Sequence, residues 1–547
     1  MKKTLYLFLL LAFTCTPKPK TVVAPWVPYD ESEEIAANAG HRISKMRFVL
    51  IQSRVSDKND MLANAAPQIR NFSETKYLAL KPLIFEKDIP TIQSHINSGA
   101  LTYEKLTQWY IYRIVKYENN RETMLNAVID INPNAVKEAR KRDKEKASAG
   151  HPIFGMPVLL KDNVNTLGMA TTAGAVALQN NHTTDAFIVK QLKKHGAIIL
   201  GKTNLTEWAN FLSANSPNGY SAVGGQTLNP YGRKIFDTGG SSSGSSAAIA
   251  ANFAVAAVGT ETSGSILSPS SKGSLAGLKP TVGLLSRSGI IPISSTYDTP
   301  GPMTRNITDN AILLSAMTGE DSDDPVTVGK SWDKRYWEDI ETGRLEGLRF
   351  GVMTQFMRDS IFKLTVEKIA GLGGIIVEYE PDRVPFERFG MVLGADMKAD
   401  LAEYLEKYAS REITFLSVAD ITEFNSNDSI NRIPYGQTLF TGMLREDLAG
   451  EELDKVKAAL HDSGVLYFDK PMTEHNLDAV LSMNNSSASY AATAAYPCLT
   501  VPMGYTGAGE PVNLTFIARP FEEDKLLKMG YAFEQAIKVR QAPEGYR

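Results

Sequence analysis

Residues 237–280 read DTGGSSSGSSAAIAANFAVAAVGTETSGSILSPSSKGSLAGLKP. Two serine clusters, each beside glycines, flank an apolar run of small residues from Ala247 to Val258. Such a run predicts a buried helix and a buried strand that pack closely together. Polar, flexible ends on an apolar hairpin place hydroxyl and amide N–H groups at one edge of a core, where they could form a serine nucleophile and its oxyanion hole. Two Gly/Ser loops around a core element would have the same composition, so these residues alone leave both interpretations open.

Helical and strand patterns alternate upstream of this stretch. Phe187, Ile188 and Leu192 lie on one helical face that closes at Gly196, and Ala197–Leu200 then reads as a short buried strand. Helices that alternate with short apolar strands predict an α/β fold. We expect a mixed central sheet covered by helices on both faces.

Three separate motifs carry a resemblance to a known family. They are GGSSSGS from Gly239 to Ser245, GTETSGS from Gly259 to Ser265, and VLLKDN from Val158 to Asn163. Together they resemble the signature of the amidase-signature family of Ser–Ser–Lys amidohydrolases, from about residue 81 to about residue 541. The segments GLKPTVGLLSRSGIIPIS (277–294) and YPCLTVPMG (496–504) are most similar to the subgroup that contains the peptide amidases.

The resemblance implies a catalytic mechanism and its residues. Ser265 would be the nucleophile, Ser241 the bridging serine after a cis Gly240–Ser241 bond, and Lys161 the base. The amide carbonyl would accept hydrogen bonds from an oxyanion hole formed by the backbone N–H groups of Thr262, Ser263, Gly264 and Ser265. Ammonia or an amine would leave, and water would hydrolyse the acyl-enzyme. No cofactor and no metal are implied, and the few scattered histidines lack metal-ligand spacing.

A lysine can serve as base only in a dry site. Its unperturbed pKa is roughly 10.4, so well under about 1% is neutral at pH 7. Burial lowers that pKa, and Val158, Leu159 and Leu160 before Lys161 make burial plausible. The alternative is an exposed Lys161 that forms a salt bridge with Asp162 and stays protonated.

Two residues depart from the family pattern. Ser263 replaces a glycine that is common in the family, which narrows the backbone conformations available to the oxyanion loop. Leu267 replaces an arginine that several members carry two residues after the nucleophile. The loss of that cation argues against a substrate with a carboxylate near the amide, and Leu267 with Ile266 predicts hydrocarbon beside the nucleophile.

Two other motifs compete with this interpretation. GSSSG from Gly240 to Gly244 matches the G-x-S-x-G nucleophile elbow, with Ser242 as nucleophile and a downstream base such as His461 or His475. An elbow needs a buried strand before it, whereas Arg233–Thr238 is largely polar. GAIILGKT from Gly196 to Thr203 matches the phosphate loop, but its apolar residues favour a strand rather than an anion-binding turn.

Composition excludes other classes of function. The chain has 547 residues and a formal net charge of −3, which gives no reason to expect a nucleic-acid surface. Its two cysteines, Cys15 and Cys498, cannot form a disulfide framework. Cys498 lies in an apolar, strand-like run and is expected to be an unreactive core thiol.

The start of the chain predicts export. Lys2 and Lys3 precede an apolar run from Leu5 to Phe13, which is too short to span a bilayer and is typical of a secretory signal. Leu11–Cys15 resembles a bacterial lipoprotein box, although Thr14 stands where a small residue such as Gly or Ala is common. We expect a signal peptide over residues 1–14 and a periplasmic or membrane-anchored product. A lipid on Cys15 would attach it to the membrane.

These observations predict three segments: the signal peptide, a tether and N-terminal helical extension over residues 15–80, and an amidase domain over residues 81–541. The expected function is hydrolysis of a carboxamide to a carboxylate and ammonia, with small-molecule amides or peptide C-terminal amides as substrates. Two alternatives stay open: a non-catalytic lipoprotein on an amidase scaffold, and an A-type subunit of the transfer-RNA-dependent amidotransferase. A secretory start counts against the second alternative, because its RNA substrate is cytosolic.

Overall fold

The computed structural model describes residues 21–145, 150–329 and 334–547. The predicted signal peptide, residues 1–14, and Cys15 lie outside the described residues. The strands in the described part are β1 Val128–Ile131, β2 Pro157–Lys161, β3 Ile198–Thr203, β4 Tyr220–Ser221, β5 Gly225–Gln226, β6 Ala256–Glu261, β7 Ala276–Lys279, β8 Thr299–Thr304, β9 Arg349–Met353, β10 Ile375–Tyr379, β11 Ala479–Met483, β12 Cys498–Tyr505 and β13 Pro511–Ile517.

One large mixed sheet organises the molecule. In the described part of the chain it has 11 strands, in the order β1-β3-β2-β6-β8-β7-β12-β13-β11-β9-β10, while β4 and β5 form a separate hairpin. The trios β3-β2-β6 and β11-β9-β10 are parallel, and the remaining neighbours are antiparallel. Because β2 and β6 are parallel neighbours, their carboxyl ends lie at the same edge of the sheet.

Helices surround this sheet. They are α1 Ser32–Asn38, α2 Lys58–Ile69, α3 Glu74–Ile84, α4 Ile89–Asn97, α5 Tyr103–Glu118, α6 Ala135–Glu145, α7 Phe187–Lys194, α8 Glu207–Asn210, α9 Ser243–Ala250, α10 Leu267–Lys272, α11 Ile307–Met317, α12 Ser360–Gly371, α13 Phe389–Lys407, α14 Val418–Ser426, α15 Ser429–Arg432, α16 Thr438–Met443, α17 Gly450–Glu474, α18 Ala488–Thr493 and α19 Glu523–Ile537. The pair α9 and α10 and the pair α11 and α19 both contact the central strands. Ser271 of α10 lies against Thr500 of β12, whereas Gly530 of α19 lies against the preceding residue, Leu499. Because successive residues of a strand point to opposite faces, the two helix pairs cover opposite faces of the sheet, which confirms the predicted fold class.

The small-residue run forms the predicted helix and strand. Helix α9 is buried on all sides, and the chain turns at Asn252, whose φ is 58°, before it enters β6. A Cβ atom at Gly244 would lie 2.4 Å from the carbonyl oxygen of Asn204 and 2.6 Å from that of Ala127. Glycine at this position therefore lets the helix approach neighbouring backbone directly.

The N-terminal extension packs on the same core as the sheet. Met46, Phe48 and Ile51 are buried in the main apolar cluster, and α2 contacts β1 and α5. Helix α3 runs from Glu74 to Ile84 and so continues past residue 80. The division into an extension and an amidase domain stays a prediction. Among the described residues, no helix combines the length and the apolarity that crossing a bilayer requires.

Candidate active site

Lys161 ends strand β2 with its side chain fully buried. Its Nζ lies 2.8 Å from Ser241 Oγ, and it donates to Thr260 O at 3.0 Å and to Thr260 Oγ1 at 2.8 Å. Thr260 lies on the parallel neighbour β6, so the sheet brings the lysine and its partners together. Asn163 extends this network, because its Nδ2 donates to Thr260 Oγ1 at 3.0 Å.

The surroundings of Lys161 favour its neutral form. Burial lowers the pKa of the amine to about 7, although Asp298 and Glu261 favour the charged form. The partners also suit a neutral amine, which has two N–H donors and one lone pair. The two Thr260 oxygens can accept from the N–H groups, and the lone pair can then accept the Ser241 hydroxyl proton.

Asp162 does not form a salt bridge with Lys161. Its Oδ1 lies 3.2 Å from Nζ of Lys202, and both of these side chains are fully buried. Thr172 supplies a further hydrogen bond to the Asp162 carboxylate. The alternative of an exposed Lys161 held by Asp162 is therefore wrong.

Lys202 belongs to the segment that matches the phosphate loop, and this segment is strand β3 rather than a loop.

Backbone contacts hold the two serine motifs side by side. The Gly240–Ser241 peptide bond is cis. The Ser241 carbonyl accepts from Thr206 N at 3.0 Å, and Ser242 N donates to the Ser265 carbonyl at 3.2 Å. Ser241 is fully buried, whereas Ser265 is 9% exposed. Of the two, Ser265 is therefore the one that a substrate can reach more easily.

Glu261, the last residue of β6, holds the segment that follows this strand. Its buried carboxylate accepts from the backbone N–H groups of Ile266 at 2.7 Å and Leu267 at 2.9 Å. Burial raises the pKa of Glu261, while Lys279 and the N–H groups of Leu267, Ile266 and Gly264 lower it.

Two side chains anchor the same segment from outside. Thr262 Oγ1 donates to Asp298, whose carboxylate also accepts from Ile293 N at 2.8 Å and Ser294 N at 3.0 Å. Ser263 Oγ lies 2.9 Å from Ser489 Oγ at the start of α18. The segment from Thr262 to Leu267 is therefore anchored at both of its ends.

The two departures from the family pattern have different outcomes. Gly264 has φ 92°, whereas Ser263 is not among the described residues with positive φ, so a serine fits there without backbone strain. Leu267 is 1% exposed and belongs to an apolar cluster with Tyr467 and Ala488. Its side chain therefore packs in the core rather than forming an open wall beside Ser265.

The elbow interpretation finds no support in the geometry. Ser242 is fully buried, and its Oγ donates to Thr260 O at 3.1 Å. His461 Nδ1 lies 2.9 Å from Thr493 O, and His475 packs near the ring of Tyr379.

Burial raises the pKa of the Cys498 thiol to about 12, as expected of an unreactive core cysteine. In the described part of the chain, no cluster of three or more His, Cys, Asp or Glu side chains could hold a metal ion.

The sequence interpretation assigned no role to three residues of the network. Thr260 lies inside the GTETSGS motif, and Asn163 lies inside the VLLKDN motif. Their positions in these motifs could therefore have indicated that both residues belong to the site. Asp298 lies 33 residues beyond Ser265, outside all three motifs. Only the pairing of β6 with β8 brings the segment before Thr299 to the oxyanion loop.

Comparisons with known proteins agree with this geometry. The family model described as Amidase matches residues 105–432. A protein of Arabidopsis thaliana named "Probable amidase" is 34% identical over 487 residues, which cover 84% of this chain and 92% of the plant protein. The native peptide amidase of Stenotrophomonas maltophilia is 37% identical, with a TM-score of 0.80 over 84% of this chain and 99% of that one.

A more distant relative is the A-type subunit of the glutamyl-tRNA(Gln) amidotransferase of Levilactobacillus brevis. It is 28% identical over 494 residues, which cover 82% of this chain and 96% of that protein. The family match, the sheet and the three motifs lead to one conclusion: the chain belongs to the amidase family and is a hydrolase that acts on amide C–N bonds.

Proposed function

We propose that the protein hydrolyses carboxamides through an acyl-enzyme on Ser265, with Lys161 as base and Ser241 as proton relay. The observation that carries this proposal is the contact of Lys161 Nζ with Ser241 Oγ at 2.8 Å, inside a fully buried site. Ser241 passes its proton to the neutral amine and takes the proton of Ser265. The Ser265 oxygen then attacks the amide carbonyl.

The oxyanion loop stabilises the negative charge that develops on the carbonyl oxygen. Backbone N–H groups of residues 262–265 donate to that oxygen, and the side-chain anchors on Asp298 and Ser489 hold these groups in place beforehand. As the tetrahedral intermediate collapses, the proton held by Lys161 returns through Ser241 to the leaving nitrogen. Water then attacks the acyl-enzyme by the same route, and Ser265 is regenerated.

The acyl part is proposed to be neutral or apolar near the amide, since Leu267 stands where several members carry an arginine. Peptide C-terminal amides fit this description. Their support is the resemblance to peptide amidases in residues 277–294 and 496–504, together with 37% identity to the Stenotrophomonas enzyme.

Release of ammonia from a panel of amides tests the function. We expect release from N-acetylated amino acid amides and from amidated peptides, and none from the Ser265→Ala variant. An acyl adduct of the expected mass on the tryptic peptide that contains Ser265 would identify the intermediate. Ammonia release that survives in Ser265→Ala would contradict the assignment of the nucleophile.

The location of the protein is a separate proposal. The charged, apolar and cysteine-containing start supports export, with attachment to a membrane through a lipid on Cys15. The two alternatives predict different results. A non-catalytic lipoprotein on this scaffold would release no ammonia from any amide, and an amidotransferase subunit would stay in the cytosol with its RNA substrate.

A further inference from the structure

A cavity of about 120 Å³ lies beside the catalytic network. Thr260 and Thr262 form part of its wall, so it adjoins both the partner of Lys161 and the oxyanion loop. We call it the acidic cavity and define it by Asn163, Asp298, Asp400, Glu403, Tyr404 and Tyr408. A cavity of about 150 Å³ can hold a benzene molecule, so this volume is enough for a short alkyl chain with a polar end.

Negative charge predominates around this cavity. Among the described lining residues, five carry a carboxyl group and one, Arg287, carries a guanidinium group. Arg287 is already paired: it donates through Nε and Nη2 to the Asp324 carboxylate, and it also donates to the carbonyl of Ser295. Its charge is therefore offset by Asp324. Glu403 is likewise paired, with Lys407 Nζ at 2.6 Å, so the carboxyl groups of Asp298 and Asp400 set the negative sign of the potential in the cavity.

An unpartnered acceptor points to a ligand with N–H donors. Asn163 is 3% exposed, and its Nδ2 donates to Thr260 Oγ1 and to Ile291 O. Its Oδ1 is buried without a hydrogen-bond partner among the described residues. A buried carbonyl oxygen without a donor is costly, so a ligand that supplies one would gain free energy here. The rings of Tyr404 and Tyr408 add aromatic faces, which attract cations.

We propose that the acidic cavity binds an alkylammonium group carried by the acyl part of the substrate. The ammonium donates to Asn163 Oδ1 and to the carboxylates of Asp298 and Asp400, while the alkyl chain lies along Ile291 and Ile293. Since Thr262 belongs to both the cavity wall and the oxyanion loop, a side chain beside the bound carbonyl can reach it. This inference rests on the proposed function and deepens it, because it names the preferred substrates as amides with a basic side chain.

Two substrates that differ only in charge test the cavity. Nα-acetyl-lysinamide and Nα-acetyl-norleucinamide share a four-carbon side chain, and only the lysine compound ends in an ammonium. We expect kcat/KM for ammonia release to favour the lysine compound about tenfold, as for a charge-assisted hydrogen bond. Equal values, or a preference for norleucine, would overturn the proposal.

Asp400→Asn should reduce this preference. An asparagine oxygen can still accept a hydrogen bond from Ser295 N, as Asp400 does. The substitution therefore removes the negative charge of Asp400 but keeps this hydrogen bond. The ratio of lysine to norleucine kcat/KM should fall severalfold. The matched control is Asp454→Asn, an equal change at an exposed position of α17 outside the cavity wall, which should keep the wild-type ratio. A ratio that Asp400→Asn leaves unchanged would overturn the proposal.

Two further measurements test the cavity if Asp400→Asn does not fold or if neither amide is hydrolysed. If Asp400→Asn does not fold, Glu403→Gln at the surface end of the cavity should lower the same ratio. Calorimetric binding of the two amides to Ser265→Ala measures the cavity without turnover, and we expect tighter binding of the lysine compound. If neither amide is hydrolysed by the wild type, the proposed function fails, and the calorimetric preference alone then decides the proposal for the cavity.

Discussion

Lys161 and Asp162 are consecutive in the chain, yet their side chains belong to different networks. Lys161 Nζ contacts Ser241 Oγ at 2.8 Å, while Asp162 Oδ1 lies 3.2 Å from Lys202 Nζ. Successive side chains at a strand end point in opposite directions, so one carboxylate cannot serve both amines. This separation leaves Lys161 without a salt bridge, and burial can then lower its pKa to about 7.

The first prediction concerns the pH dependence of the reaction. Because Lys161 acts as base only when deprotonated, kcat/KM should rise with pH through an apparent pKa of about 7. Lys161→Ala should lower kcat/KM by orders of magnitude and remove or move this acidic limb. Lys363→Ala, at an exposed position of α12, is the control and should keep both rate and profile. A Lys161→Ala enzyme with a near-normal rate and an unchanged profile would exclude lysine from the mechanism.

The second prediction separates the two candidate nucleophiles. Ser265→Ala should abolish acylation, whereas Ser242→Ala should retain measurable turnover. The Ser242 hydroxyl is buried in hydrogen bonds with the backbone of Thr260, so it is not the group that attacks the substrate. A fluorophosphonate probe followed by peptide mass spectrometry should label Ser265. Labelling of Ser242 instead would assign the protein to the elbow mechanism.

The third prediction concerns the buried pair of Asp162 and Lys202. Lys202→Met leaves the carboxylate buried without its cation, so the free energy of unfolding should fall by about 3–5 kcal/mol. Combining Lys202→Met with Asp162→Asn should restore part of this loss, because no uncompensated charge remains. Denaturant titration of the single and double variants measures both effects. A single variant as stable as the wild type would show that Asp162 becomes protonated at little cost.

The fourth prediction concerns an acidic substituent on the substrate. Succinamate and 4-methylpentanamide are similar in size, but only succinamate carries a carboxylate. The neutral amide should be hydrolysed faster, because Leu267 replaces a cation and the acidic cavity repels an anion. Comparison of kcat/KM for the two amides measures this preference. Faster hydrolysis of succinamate would require a cation near Ser265 that this interpretation lacks.

The fifth prediction concerns the mature N-terminus. Export with lipid attachment should remove residues 1–14 and leave an acylated Cys15 as the first residue. Mass spectrometry of the protein isolated from membrane and soluble fractions measures this directly. Intact Met1 on soluble cytoplasmic protein would contradict export and favour the amidotransferase interpretation.

The sequence by itself predicted the family, the α/β class and the helix and strand formed by residues 247–258. These features depend on local properties, namely side-chain size, periodicity and motif order, which can be read along the chain. It also predicted that Lys161 would be buried against Ser241, although the motif resemblance rather than the residues supplied the partner.

Only the tertiary structure decided which side chains meet. Lys161 and Thr260 are 99 positions apart, and parallel pairing of β2 with β6 brings them into contact. Antiparallel pairing of β6 with β8 likewise brings Asp298 to Thr262, and strand β3 gives Asp162 its partner Lys202. Contacts of this kind depend on which strands are neighbours in the sheet. That order is set by the packing of the whole molecule rather than by residues that are close together in the chain.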